Sequence, residues 1–392
     1  MSSTVDRSLF VLPNESPVCL LDCTDAFKGL TDQEKKYAHY ISKASFDGAL
    51  SVFLQVSPES PAIFYVLYHL FKAEPIETLK QKALTVGFSE DEWTALLVYT
   101  AGFYANSGNY KGFGDSKIVP HVETSKITEL VKTSAASSIP GVVEAWSAVE
   151  AVVGSLDQGQ IQLGYGEEGV TCYHSDNVTQ EDANKIGRFF KAYNMEQWNT
   201  RLFKENCDGK VVYRVKVASS EVGASKEHAF EDSTVIIERG DYAPIMGLVQ
   251  KWLKKATESA ANDNQKKMLL KYVEHFGNGE ISAHKDGSRY WIKDVGPAIE
   301  SYIGFIENYR DPAGTRSEFE GFVAAVNKET SKKFQALVSR AEEILKRLPW
   351  GAAYEKDAFL KPDFTALDVI AFGSSGIPSG INIPNYDDIR QK

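Results

Sequence analysis

The feature that most constrains this chain is a change of period at about residue 156. Before it, apolar residues recur at helical spacing behind clear start signals; after it, they alternate. TDQE (Thr31, Glu34) and SEDE (Ser89, Glu92) read as capping boxes, the second leading into Trp93, Leu96, Leu97 and Thr100 on one helical face. Ser60-Pro61 places proline at the first position of another helix, PAIFYVLYHLF. A glycine-rich loop, Ala105 to Lys117, comes after these helices. Beyond the change, KVVYRVKVAS (Lys210 to Ser219) and TVIIER (Thr234 to Arg239) read as strands, with NTRLFKE (Asn199 to Glu205) as a partner and TQEDANKIGRFFKAY as one interrupting helix. From Asp241 helices return, ending with KETSKKFQALVSRAEEILKRL, and an extended segment runs from Pro349 to the end. Helices on either side of a small antiparallel sheet or barrel make an α+β fold.

Composition narrows the function classes. With 43 Lys+Arg against 53 Asp+Glu the net charge is -10, and no run of basic residues could track a phosphate backbone, so nucleic acid is not an expected partner. No apolar run approaches the roughly eighteen residues that span a bilayer, which excludes a membrane helix. The apolar segment before Pro13 is too short for a secretory signal, so the expected location is cytoplasmic. Cys19, Cys23, Cys172 and Cys207 are irregularly spaced and read as free or buried thiols. The seven histidines never come closer than nine residues, so no pair lies one helical turn apart to share an ion. His69 and His275 fall in apolar helical stretches and read as core or boundary residues. GYGEEG, Gly164 to Gly169, matches a dinucleotide fingerprint in letters only; the next residues, VTCYHS, are β-branched and aromatic rather than helix-opening, so it reads as a glycine-rich hairpin.

Two stretches hold polar groups that packing alone does not require. In Glu300 to Glu329, the residues Glu307, Tyr309, Arg310 and Asp311 crowd what reads as a helix end before a Pro-Gly break, either a solvated end or a functional cluster. The closing GINIPNYDDIRQK reads as a buried strand or strand-like loop whose chain continues past Lys392. Its Asn382 and Asn385 are either structural bonders or ligand bonders, since a buried amide must find partners.

These stretches resemble the dipeptidyl peptidase III enzymes, the cytosolic zinc exopeptidases of peptidase family M49. The resemblance runs through QVSPESPAIFYVL, NYKGFGDSKIVP, YNMEQWNTRLFKE, ERGDYAPI, GSRYWIKDVGPAIESYIGFIENYRDP, EFEGFVAAVNK and FGSSGIPSGINIPNYDDIR. Ser107 stands where that family has methionine. The resemblance implies two lobes around a cleft. Residues 1–327 and 362–392 would form a lower lobe, with a five-stranded β-barrel at about 157–240. Residues 328–361 would be a helical excursion of the upper lobe, whose remainder is absent. It implies zinc-dependent release of dipeptides from the N-termini of oligopeptides. Glu307 and Tyr309 would hold the substrate's free N-terminus, Asn382 and Asn385 its backbone, and Phe113 either the substrate or the opposite lobe; a purely structural loop role for Phe113 stays open. Two extended residues span about 7 Å, so an ammonium anchor that far from the reacting water selects the second peptide bond. The family's H-E-x-x-x-H helix and downstream glutamate ligand have no counterpart, because no His-Glu dipeptide occurs. The expectation is therefore a chain with no metal ligands of its own, inactive alone, whose partners are oligopeptides and the missing C-terminal half. The alternative is a non-catalytic peptide-binding or interaction protein.

Overall fold

The structure is a computed structural model that describes residues 5–223, 225–355 and 364–390. Thr24–Lys28 (α1) leads into Asp32–Val56 (α2), Ser60–Lys72 (α3), Ile76–Thr85 (α4), Glu90–Ala105 (α5), Thr124–Thr133 (α6) and Val142–Val153 (α7). Both expected capping boxes form: the Thr31 and Ser89 side chains accept from the Glu34 and Glu92 backbone N–H groups, and each glutamate reaches back. Pro61 sits in the first turn of α3, where its missing N–H costs nothing. Helices α3 to α7 close a core of their own around Leu70, Leu96, Phe103 and Trp146.

Gln180–Ala192 (α8) packs on an open four-stranded sheet of Thr200–Cys207 (β1), Lys210–Ala218 (β2), Lys226–Phe230 (β3) and Ser233–Asp241 (β4), in the order β1-β2-β4-β3. The expected NTRLFKE strand is β1, paired antiparallel to β2. Asp208 and Gly209 turn the hairpin, both at positive φ as a two-residue turn between right-twisted strands requires. The closed five-stranded barrel expected at about 157–240 is not what forms among the described residues. Residues 157–178 contribute only isolated bridges, such as His174 to Leu202, because their glycines and short 3-10 turns break any longer pairing. GYGEEG is a tight loop, closed where the Gly164 N–H donates to the Val170 carbonyl.

Ala243–Thr257 (α9), Asp263–Asn278 (α10) and Ile281–Trp291 (α11) are the returning helices. The Glu300 to Glu329 stretch is then not a helix end. Ile299–Glu307 (β5) and Glu318–Val326 (β6) form a hairpin, and Leu367–Gly373 (β7) adds a third antiparallel strand. Both faces of β5 and β6 are buried, so their apolar residues run continuously and the period-2 signal disappears. Helix α2 lies across this sheet very closely: a Cβ on Gly321 would sit 2.7 Å from the Ser45 Cα. The resulting core joins α2, α9, α10 and the second sheet.

Lys328–Ser339 (α12) and Ala341–Leu345 (α13) bury almost nothing, Ser331 being the one buried residue of the two helices. The expected excursion boundary at 361/362 lies outside the described residues. Gly380 to Tyr386 is an unpaired extended segment rather than a strand, and Asp387–Arg390 (α14) comes after it.

Candidate functional site

The site is built where the second sheet meets two loops. β5 ends at Glu307, and the turn beyond it is organised by Asp311, whose carboxylate accepts from the backbone N–H groups of Ala313 (3.1 Å), Thr315 (3.0 Å) and Arg316 (2.7 Å). His174 Nε2 donates to the same carboxylate at 2.7 Å, tying the turn to the segment before α8 that bridges to β1 at Leu202. Burial works to raise the Asp311 carboxyl, but the His174 hydrogen bond and the Arg316 charge outweigh it and hold it at about 2.

Arg310, next in the turn, is buried and donates Nε to Glu318 Oε2 at 2.6 Å and Nη1 to the carbonyls of Asn106 (2.8 Å) and Tyr110 (3.2 Å). Glu318 Oε1 in turn accepts the Ser374 hydroxyl (2.8 Å) and the Ser375 N–H (3.0 Å). One ion pair therefore holds together the glycine-rich loop, the β5–β6 turn and the segment after β7.

These three pieces enclose a cavity of about 360 Å³ whose lining includes all five sequence-predicted residues: Phe113, Glu307, Tyr309, Asn382 and Asn385. Phe113 and Tyr309 are exposed at 66% and 59% and face each other with ring centroids 5.7 Å apart. The Glu307 carboxylate raises the Tyr309 hydroxyl above its usual value, keeping it a donor. The expectation of two buried asparagines divides. Asn385 is half-buried and donates Nδ2 to the Ile306 carbonyl at 3.0 Å, so it is a structural bonder whose other amide edge faces the cavity. Asn382 is exposed and makes no hydrogen bond among the described residues, which leaves both its donor and acceptor for a ligand.

Sequence reasoning missed contributors in three places. Glu318 and Glu320 also line the cavity. Read as a strand, Glu-Phe-Glu in an apolar run puts both acids on one face, and that signal was available. Arg310 was read as part of a solvated end and is 3% exposed. The third is His284, fully buried, which donates Nε2 to the Ile303 carbonyl at 2.9 Å and accepts the Tyr386 hydroxyl at Nδ1, 2.8 Å. That relay docks the closing segment and so places Asn385; spacing along the chain cannot reveal it. Burial, reinforced by the nearby His275, pushes His284 down to about 3.

Among the described residues no group of three or more His, Cys, Asp or Glu side chains could hold a metal ion. No helix among them is long and apolar enough to cross a membrane.

A hairpin, two loops and a carboxylate-rich cavity on an α+β scaffold agree with what comparison with known proteins finds. The sequence model of peptidase family M49 matches residues 145–392, and the chain belongs to that family. It is 48% identical over 408 positions to dipeptidyl peptidase 3 of Nematostella vectensis, covering 99% of this chain and 56% of that protein. Against dipeptidyl peptidase 3 of Homo sapiens it is 49% identical over 395 positions, 97% of this chain and 54% of the other. The solved structure of DPP III from Caldithrix abyssi shares the fold, with a TM-score of 0.54 at 16% identity over 92% of this chain and 53% of that one. The chain thus spans about half the length of the relatives it matches.

Proposed function

We propose that these residues form the substrate-holding wall of a dipeptidyl peptidase that removes dipeptides from the N-termini of oligopeptides. The observation that carries this reading is the convergence of Phe113, Glu307, Tyr309, Asn382 and Asn385, from three distant segments, on one cavity. Glu307 pairs with the α-ammonium of an extended peptide, Tyr309 donates beside it, and Asn382 meets the backbone with both edges of its amide. Phe113 covers the first side chain.

The zinc of the complete family enzymes belongs in this reading to another segment, since among the described residues no group of three or more His, Cys, Asp or Glu side chains could hold it. In this reading residues 1–327 and 362–392 are the lower of two lobes, and 328–361 belong to the upper. The exposed Leu337, Trp350 and Tyr354 support that division, because an apolar surface of this kind is normally covered. A second polypeptide segment carrying the remaining lobe is the partner that covers it. The cytoplasmic location belongs to the same reading, supported by four unpaired cysteines.

The test is calorimetric titration of this chain with a tetrapeptide bearing a free or an acetylated N-terminus. The free peptide binds and the acetylated one does not, and Glu307→Gln weakens the free peptide about tenfold, ~1.4 kcal/mol, the scale of one charge-assisted hydrogen bond. Equal binding of both peptides would overturn the anchor. Dipeptide release by the pure, zinc-loaded 392-residue chain would overturn the assignment of catalysis to another segment. The alternative, a peptide-binding protein with no catalytic role, rests on the same cavity lining of Glu307, Tyr309, Asn382 and Asn385. It predicts the same binding, but no gain of dipeptide release when the remaining lobe of a family member is supplied.

A further inference from the structure

Glu320 is 95% removed from solvent and lines the cavity, and its carboxyl group makes no hydrogen bond among the described residues. The charges around it do not balance. From β5 it faces Glu307 and Tyr302, from the turn Tyr309 and Arg310, and on its own strand Glu318; β7 and the closing segment line the cavity with no titratable group. Arg310 is the one cation in this set, and it is committed to Glu318 in a buried pair. Glu320 thus shares the cavity wall with the Glu307 carboxylate and with no uncommitted cation in this set, and that like charge disfavours its ionisation. Burial first, then Glu307 and Glu318, pushes the Glu320 carboxyl up to about 8.

We propose that Glu320 is a proton-exchanging member of the peptide-anchoring cavity: it is a neutral acid when no cation is present and ionises as a peptide's α-ammonium enters. The inference rests on the peptide-binding reading of the same cavity. In the step the Glu320 O–H bond breaks, the proton passes to water or buffer, nothing is oxidised or reduced, and the peptide keeps its ammonium. The incoming positive charge replaces the missing counter-ion for both carboxylates, so binding and deprotonation favour each other by the same factor. Two carboxylates then share the anchor, and the cavity selects for a free amine more sharply than Glu307 alone.

Tetra-alanine titrated into the chain in phosphate and in Tris at pH 7 measures the proton count from the difference in apparent heats. The expected result is close to one proton released per peptide bound, with Kd falling about tenfold from pH 6 to pH 7. Glu320→Gln, which mimics the neutral acid, binds at least about tenfold more weakly than wild type at pH 6, with a Kd that stays level across that range, and releases no proton. If this variant melts early, the wild-type proton count decides alone. Binding of tetra-alanine without proton release or pH slope overturns the role of Glu320 and leaves the peptide anchor standing. Absence of any binding by the wild-type chain overturns both.

Discussion

Arg310→Met tests whether one ion pair holds the cavity together. Both side chains are withdrawn from solvent, Arg310 at 1% and Glu318 at 5% exposure, with Nε 2.6 Å from Oε2. Removing the guanidinium strands the Glu318 charge and frees the carbonyls of Asn106 and Tyr110. Breaking a buried pair by deleting one partner costs about 3–5 kcal/mol, most of it the penalty of an uncompensated charge. At roughly 2–4 °C per kcal/mol for a large domain, the melting temperature falls by about 6–20 °C. The double variant Arg310→Met/Glu318→Gln removes both charges, while the glutamine oxygen still accepts from Ser374 and Ser375. It therefore recovers about 2 kcal/mol or more of the loss. The assay is thermal unfolding tracked by tryptophan fluorescence, paired with discrimination between free and acetylated tetrapeptide, which the single variant loses. A fall under about 2 °C, or losses that simply add in the double variant, would refute the reasoning.

The packing sets two further outcomes. Gly48→Ala drives a methyl into the ring of the fully buried Phe319, and because α2 cannot retreat from the second sheet the overpacking costs about 1–3 kcal/mol, read as a lower melting temperature. His275 and His284 are held neutral by burial, at about 4 and about 3. Their folded values lie below the unfolded value of about 6.5, so the stability they contribute is present above that pH and is lost as the pH falls toward 4. Glu320, raised to about 8, works in the opposite sense between pH 8 and about 4.3, so the measurement belongs in the Glu320→Gln background. A urea-unfolding midpoint that stays level from pH 6.5 to 4.5 in that variant would contradict the two buried rings.

What the sequence exposed was local. The capping boxes at Thr31 and Ser89, the proline start of α3 and the β1–β2 pair formed as read, since each is set by residues within a few positions of one another. The second sheet was hidden for a physical reason: with both faces buried, β5 and β6 carry no alternation, and their acids looked like a solvated helix end. The barrel failed from the opposite cause, for bridges such as Leu163 to Val170 are too isolated to close it.

The candidate site divides the same way. Glu307, Tyr309, Asn382 and Asn385 stood out as polar residues in the sequence, but their roles, and Phe113 altogether, came through resemblance alone. By itself the sequence determined which side chains were available, namely a surplus of acids, few cysteines and no two histidines one helical turn apart. Only the tertiary structure decided that Glu320 loses its water, that Arg310 is spent on Glu318, and that His284 docks Tyr386 from 102 positions away. Charge in a sequence is a count, whereas its chemistry depends on the dielectric and counter-ions that distant segments supply when they pack.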